Sequence, residues 1–222
     1  MRITVVIPAL NEERTVGDVV RGALRHADEV IVVDDGSTDN TALEAFRAGA
    51  RVIMHPRRLG AYRALRTGFR FARGDIVVTM GADGQHNPAD IPRIVRPILE
   101  GRADFVLGVR DRIPYFSERF IRVLTSLLVK CSDVSTGMIA IRRTLLTKMP
   151  LRGLCICGVM VLEAYGLRAK IVEVPIKVRP RLYGSRKIKT RHVKQTFYVL
   201  FDMIEAIIQR LINRTLRTTS QR

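Results

Sequence analysis

Short β-branched apolar runs alternate with stretches of helical apolar spacing over the first half of the chain. A strand buried on both faces appears as a continuous apolar run, whereas an amphipathic helix repeats its apolar residues every three to four positions. This pattern predicts strands at residues 3–8, 29–34, 52–55, 75–80 and 104–109, and helices at 15–25, up to 48, at 60–71 and after Asn87 and Pro88. Strands interleaved with helices predict an α/β fold, with a mostly parallel central sheet flanked by helices and right-handed crossovers.

The alternation loosens in the second half, and the chain ends in an amphipathic tail. We expect helices at residues 116–129 and 159–167, strands at 136–142 and 171–178, and a C-terminal amphipathic helix over about 191–216. The longest uncharged stretch of the tail, residues 195–201, has seven residues, far fewer than the roughly 20 that a membrane-spanning helix needs. The tail therefore either packs on protein or lies in a membrane interface. Its apolar face comprises Val193, Phe197, Leu200, Ile204, Ile207, Ile208 and Leu211.

The positive charge is concentrated in the second half of the chain. Residues 1–109 hold 15 Lys and Arg against 14 Asp and Glu, whereas residues 110–222 hold 23 against 7, within a total net charge of +17. Residues 177–194 contain eight basic side chains and no acidic one. Near an anionic membrane surface each such residue contributes on the order of 1 kcal/mol. The segment is either a membrane-facing surface or a solvated charge run; a nucleic-acid site is less favoured, because Tyr183 is its one aromatic residue.

Cysteine usage and the N-terminus indicate a reducing compartment. Cys131, Cys155 and Cys157 form neither an even disulfide set nor a four-ligand metal pattern, so we expect free thiols. The chain opens directly on a predicted strand without a basic and then apolar leader. We therefore expect a cytoplasmic location.

Two predicted strands run straight into acidic turns. The strand at 29–34 leads into Asp34 and Asp35, and the strand at 75–80 leads to Asp83. In an open parallel sheet, ligands bind in the crevice at the carboxyl ends of the strands, so these carboxylates are expected to face one site suited to a metal and a nucleotide. A turn-forming Asp that caps the next helix is the alternative. A Rossmann dehydrogenase is disfavoured, because no G-x-G-x-x-G follows the first strand.

Five ordered motifs then carry a resemblance that covers residues 3–189. They are PALNE (8–12), VDDGSTD (33–39), GDIVVTMGADGQHNP (74–88), DVSTGM (133–138), and EVPI (173–176) followed by R-x-x-G-x-x-K (181–187). The chain resembles the family 2 glycosyltransferases, and among them the dolichyl-phosphate mannose synthases. The resemblance implies a GT-A fold, a nucleotide-sugar donor with GDP-mannose favoured, a divalent metal (Mg or Mn) and a polyprenyl phosphate acceptor such as dolichyl phosphate. It also implies a catalytic domain at 1–189, with a donor-binding half (1–109) and an acceptor half (110–189), and a helical tail at 190–222.

The resemblance implies a donor site with two departures from the family. Relatives usually carry Asp-Ala-Asp where this chain has Gly81, Ala82 and Asp83, and an aromatic residue where it has Leu10. Asp83 and Gln85 are then the metal ligands, and metal binding is expected to be weakened. Arg181 and Lys187 are expected to close over the diphosphate. The donor-binding residues are Pro8, Leu10, Glu12, Val33, Asp35, Ala82, Asp83, Gln85, Arg181 and Lys187.

The sequence offers no obvious general base, and a phosphate acceptor would not need one. A phosphate monoester, with a second pKa near ~6, is already an anionic nucleophile at neutral pH and needs cations instead. By resemblance Arg110, Arg122 and Ser126 hold this phosphate; Arg122 and Ser126 lie four positions apart, on one helical face. Asp133, Ser135 and Gly137 are expected to shape the sugar pocket, with simple turn residues as the alternative for Ser135 and Gly137. By resemblance the catalytic residues are Asp83, Arg122 and Arg181; for Arg122, an ordinary surface arginine is the alternative.

The resulting hypothesis is an inverting, metal-dependent glycosyltransferase, peripherally associated with the cytoplasmic face of a membrane through its basic surface and tail or through a separate membrane subunit. Two alternatives remain open. Gly81 suggests a catalytically impaired sugar-nucleotide-binding protein, and the basic second half suggests, less strongly, a nucleic-acid-binding protein.

Overall fold

The computed structural model of the protein describes residues 1–111, 116–154, 156–180 and 191–219, the last range without the side chains of residues 191–195 and 212–219. Within it, strands and helices alternate as the apolar spacing predicts. The elements in chain order are β1 (Ile3–Ala9), α1 (Val16–Leu24), β2 (Glu29–Asp34), α2 (Thr41–Arg47), β3 (Arg51–Met54), α3 (Ala61–Phe71), β4 (Ile76–Thr79), a 3-10 turn (Pro88–Asp90), α4 (Ile91–Leu99), β5 (Phe105–Arg110), α5 (Phe116–Ser126), β6 (Ile139–Arg142), α6 (Arg143–Leu146), α7 (Val159–Gly166), β7 (Ile171–Ile176) and α8 (Arg191–Thr219).

The seven strands form one sheet in the order β3-β2-β1-β4-β6-β5-β7. Every pair is parallel except those of β6, which runs antiparallel to both β4 and β5. The prediction of a mostly parallel sheet is thus confirmed. Strands β1, β2 and β4 end at the same edge, which places the turns after Ala9, Asp34 and Thr79 side by side.

Helices cover both faces of the sheet because successive strand residues point to opposite sides. In β1, Val6 packs into the layer formed with α3 and α7, whereas Val5 and Ile7 pack into the layer formed with α1 and α4. Both layers consist mainly of buried aliphatic side chains. The result is a three-layer α/β domain whose strand ends are free to carry a site.

The prediction was least accurate around residues 127–138. Helix α5 ends at Ser126 rather than at 129, and β6 begins at Ile139 rather than at 136. Side-chain bonds to the backbone hold the intervening turns: the amide of Ser135 donates to Asp133 (3.0 Å) and the amide of Met138 donates to Thr136 Oγ1 (3.2 Å). Such local bonds compete with helix and strand formation.

Helix α8 packs on the domain through a narrow face and exposes a broad one. Val199, Asp202 and Ala206 are buried, and α8 contacts α7 and α5. Packing against protein is therefore observed for this part of the tail. In the portion of the chain that the structure describes, no helix is long and apolar enough to cross a membrane. The side chain of Val193 lies outside the described residues; the other predicted apolar positions are exposed, namely Phe197, Leu200, Ile204, Ile207, Ile208 and Leu211, together with Phe201.

Candidate active site

A cavity of about 280 Å³ lies at the carboxyl ends of β1, β2 and β4. The position agrees with the rule that ligands of open α/β sheets bind beyond the carboxyl ends of the strands. The sequence-predicted residues that line it are Pro8, Leu10, Glu12, Asp35, Ala82, Asp83, Ser135 and Gly137. Most of the residues predicted for the donor and the sugar thus meet in one cavity.

The two aspartates after β2 have different surroundings. Asp34 accepts from the amide of Ser37 (3.1 Å) and acts as the turn-forming residue. Asp35 accepts from the amide of Gly60 at 2.6 Å and lies 2.8 Å from Nδ1 of His55. A further bond to Asp35 comes from the amide of Leu59 at 2.8 Å. Asp35 therefore fixes residues 55–60 against the cavity while it lines the cavity itself.

Val33 has no direct access to the cavity. Its side chain is fully buried in the layer that contains α3, where Gly68 approaches it closely. Val33 is therefore not among the residues that line the cavity.

Asp83 is the one predicted metal ligand that faces the cavity. Its Oδ1 atom accepts from the amide of Gln85 (3.2 Å), whereas the side chain of Gln85 donates to the carbonyl of Arg179 (3.2 Å). Among the described residues there is no group of three His, Cys, Asp or Glu side chains that could hold a metal alone. A single carboxylate fits a hard divalent cation that takes its other oxygens from the donor diphosphate and from water.

His86, which the sequence analysis did not assign, lies beside Asp83. Its Nδ1 accepts from the amide of Gly81 at 3.0 Å. Burial lowers the pKa of His86 to about 4, and Arg110 acts in the same direction, although the charge of Asp83 opposes both. The imidazole is therefore neutral near pH 7. The position of His86 within the 74–88 motif was the one indication in the sequence. Its hydrogen-bond partner is a backbone amide, which residue types do not reveal.

Arg110 forms a buried ion-pair cluster rather than an open anion site. Its Nε donates to Asp133 Oδ2 at 2.6 Å, and one of its terminal nitrogens donates to Glu118 at 3.0 Å. Burial alone would lower the pKa of Arg110, but the bonds and charges of Asp133 and Glu118 outweigh it and raise that pKa. Glu118 lines the cavity, and the sequence analysis missed it. In this arrangement two carboxylates already neutralise Arg110.

Arg122 and Ser126 lie on the exposed face of α5, outside the cavity lining. The Ser126 hydroxyl donates to the carbonyl of Val123 at 2.6 Å. Large apolar side chains are exposed on the same helix, with Phe116 83% and Val123 56% accessible. Of the three predicted acceptor residues, Arg110 is therefore buried in an ion-pair cluster, whereas Arg122 and Ser126 are exposed. Arg181 and Lys187 lie outside the described residues.

Comparison with known proteins identifies the class. Residues 4–161 match the family model described as "Glycosyl transferase family 2". This match covers well over half of the chain, so the protein belongs to glycosyl transferase family 2, and the resemblance drawn from its motifs is confirmed.

Individual relatives act on different sugars according to their names. The chain is similar to "Dolichol-phosphate mannosyltransferase" of Pyrococcus furiosus, with 28% identity over 96% of this chain and 67% of the relative. It is also similar to "UDP-N-acetylglucosamine--dolichyl-phosphate N-acetylglucosaminyltransferase" of Methanococcus voltae, with 35% identity over 50% of this chain and 53% of the relative. The chain spans roughly half to two thirds of the length of these relatives.

Among solved structures, glucosyl-3-phosphoglycerate synthase of Mycobacterium tuberculosis superposes with a TM-score of 0.77 and 28% identity, covering 91% of this chain and 79% of that one. That structure is a complex with Mn²⁺, UDP-glucose and phosphoglyceric acid. The fold of the protein is therefore the GT-A fold, as expected.

Proposed function

We propose that the protein transfers a sugar from a nucleoside diphosphate sugar to a polyprenyl phosphate. The observation that carries this proposal is the combination of a strand-end cavity lined by Asp35 and Asp83 with an adjoining helix that exposes Arg122 among large apolar side chains. A lipid phosphate needs both a cation and an apolar surface. The names of the polyprenyl-phosphate relatives support the same acceptor class.

The proposed reaction is one in-line displacement with inversion. An oxygen of the acceptor phosphate forms a bond to the anomeric carbon, and the bond from that carbon to the nucleoside diphosphate oxygen breaks. The nucleophile is already an anion, so no side chain has to remove a proton. Arg122 and Ser126 orient the acceptor, with Arg110 behind them in its ion pairs, and Arg181 and Lys187 are proposed to close over the diphosphate.

Asp35, Pro8, Leu10 and Glu12 are proposed to form the nucleoside site. Ser135 and Gly137 are proposed to form the sugar pocket, with Asp133 buried behind them in its ion pair with Arg110. The hydroxyl of Ser135 supports this role, since it is buried and has no hydrogen-bond partner in the part of the chain that the structure describes. A divalent cation such as Mg²⁺ or Mn²⁺, held by Asp83 with support from Gln85, would neutralise charge on the diphosphate.

The donor is proposed to be GDP-mannose, on the resemblance alone, and the varied sugars in the relatives' names make this the first point to test. A thermal-shift panel of GDP, UDP, GDP-mannose and UDP sugars, each with Mn²⁺ and with EDTA, measures donor and metal together, because a ligand stabilises in proportion to its affinity. GDP-mannose should give the largest shift. A larger shift with a UDP sugar would mean that the donor is that UDP sugar rather than GDP-mannose, while the proposed sugar transfer would stand.

A second candidate acceptor is a small phosphorylated acid. The superposition on glucosyl-3-phosphoglycerate synthase favours it. The exposed apolar side chains of α5 and α8 favour the lipid, since a water-soluble acceptor has no use for them. Transfer from the donor identified above to phosphoglyceric acid, and not to a polyprenyl phosphate, would select the second candidate.

The membrane is proposed as the working surface of the enzyme, on its cytoplasmic face. The basic second half and the exposed faces of α5 and α8 support peripheral attachment, alone or with a separate membrane subunit. A nucleic acid is not proposed as a partner. Flotation with anionic and with neutral vesicles tests this attachment. Binding to neither kind of vesicle would contradict the proposed membrane attachment.

A further inference from the structure

The imidazole of His86 is held in one tautomer by the backbone. A backbone amide only donates, so the 3.0 Å bond from Gly81 N to His86 Nδ1 requires a lone pair on Nδ1. A neutral imidazole then carries its proton on Nε2. Among the described residues Nε2 has no hydrogen-bond partner, and His86 lines the cavity.

The ring is also fixed from its other side. A Cβ atom at Gly137 would lie 3.0 Å from Cε1 and 3.7 Å from Nε2 of His86, so the glycine leaves the space that the ring edge fills. The carbonyl of Gly137 accepts from the hydroxyl of Thr79 at 2.8 Å, which ties this segment to β4. The Nε2–H edge is therefore held between Asp83 and the 133–138 segment.

We propose that the Nε2–H group of His86 donates a hydrogen bond to a diphosphate oxygen of the bound donor and stabilises the departing nucleoside diphosphate. The inference rests on the proposed function, which puts the donor in this cavity. The diphosphate is the partner because His86 adjoins Asp83, the residue that fits a diphosphate-bound cation. A hydrogen-bond donor that is already held in position does not have to reorganise when charge develops on the leaving group. Such a contact matters more in this chain, because Gly81 replaces a carboxylate of the family metal site.

Two substitutions separate this role from a structural one. In His86→Asn, the amide oxygen can replace Nδ1 as the acceptor for Gly81, but nothing reaches the place of Nε2. In His86→Gln, the amide nitrogen can reach the place of Nε2, but the bond to Gly81 is lost. If the Nε2–H group of His86 stabilises the leaving group, the Gln variant should be the more active of the two. If the imidazole only holds Gly81 in place, the Asn variant should be the more active.

The test measures affinities for GDP, UDP, GMP and UMP by calorimetry in EDTA, and then kcat and KM for transfer, with thermal unfolding as the check on folding. We expect His86→Asn to weaken diphosphate binding and to lower kcat by about tenfold each, the equivalent of one lost hydrogen bond, without changing monophosphate binding. We expect His86→Gln to stay within about threefold of the wild type. Full diphosphate affinity and full kcat in the Asn variant would overturn the inference. A wild-type protein that binds none of the four nucleotides, either in EDTA or with Mn²⁺, would instead refute the proposed function itself.

Discussion

Arg110 and Asp133 form a buried ion pair, with Nε of the arginine 2.6 Å from Oδ2 of the aspartate and no exposed area on Asp133. The pair joins the end of β5 to the turn that precedes β6. Glu118 completes the cluster from α5. One cation thus organises the acceptor side of the cavity before any acceptor binds.

Replacing Arg110 should therefore cost stability. Arg110→Ala leaves the carboxylates of Asp133 and Glu118 buried without a counter-charge, and breaking a buried pair in this way costs about 3–5 kcal/mol. Thermal unfolding should show a large fall in the midpoint. The matched control is Arg122→Ala on the exposed face of α5, expected to change stability by less than about 0.5 kcal/mol. Equal midpoints for the two variants would mean that the Arg110 cluster is not a structural element.

Arg122→Ala should act on the acceptor instead. Loss of a charged hydrogen bond to phosphate should raise KM for the polyprenyl phosphate by about tenfold and leave KM for the nucleotide sugar unchanged. Arg70→Ala, at the end of α3, removes the same charge elsewhere and serves as the control. Equal changes in both KM values would put the acceptor phosphate elsewhere.

Gly81→Asp should tighten metal binding. A Cβ atom at Gly81 would lie 3.1 Å from Asp83 Oδ1 and 3.5 Å from His86 Nδ1, so a carboxylate there fits after a shift of a few tenths of an ångström. Titration of Mn²⁺ by paramagnetic resonance, with nucleoside diphosphate present, should show affinity higher by about tenfold in Gly81→Asp and lost in Asp83→Asn. Unchanged affinity in both variants would contradict the assignment of Asp83.

Buried carboxyl groups between α7 and α8 should make stability depend on pH. Burial raises the pKa of Asp202 to about 7, with Glu205 adding to the shift and Arg152 opposing it. Burial likewise raises the pKa of Glu163 to about 7, against hydrogen bonds from the amides of Arg152 and Leu151 and with a further rise from Asp202. The unfolded chain therefore loses these protons first as pH rises. Stability should fall between about pH 4 and pH 7 and then level off.

Asp202→Asn should remove part of this dependence. Both carboxylate oxygens of Asp202 are buried without a hydrogen-bond partner in the described structure, so an uncharged amide avoids the cost of ionisation. At pH 7.5 the midpoint of thermal unfolding should rise by about 2–4 °C, and the difference from the wild type should vanish as pH approaches about 4. Asp18→Asn, which changes an 84% exposed carboxyl on α1, is the control. A difference that is the same at every pH would exclude titration of Asp202 as its cause.

Apolar periodicity predicted most of the fold because each element buries its own pattern. Strand β2 (Glu29–Asp34) has the predicted bounds, and helix α3 differs from its prediction by one residue. The region before β6 could not be predicted in the same way. There, bonds from Asp133 and Thr136 to nearby amides stop the strand, and such bonds depend on backbone conformation rather than on hydrophobic spacing.

The candidate site was predictable where residue type alone determines position. Asp35 and Asp83 follow buried strands, and both line the cavity. The exceptions are residues whose partners are near in sequence but are set by the backbone path, which residue type does not encode. Glu118 forms its ion pair with Arg110 only in the folded chain. His86 accepts a hydrogen bond from the backbone amide of Gly81. Val33 lies inside the core because a strand covered on both faces exposes neither set of side chains.

Transfer of a labelled sugar into lipid is the decisive measurement for the proposed reaction. The protein is incubated with GDP-mannose or UDP sugars labelled in the sugar, Mn²⁺ and a polyprenyl phosphate in detergent, with phosphoglyceric acid as the competing acceptor. We expect label in the organic phase, dependent on the polyprenyl phosphate and lost in Asp83→Asn. Label that remains in water with every donor, or that passes only to phosphoglyceric acid, would contradict it.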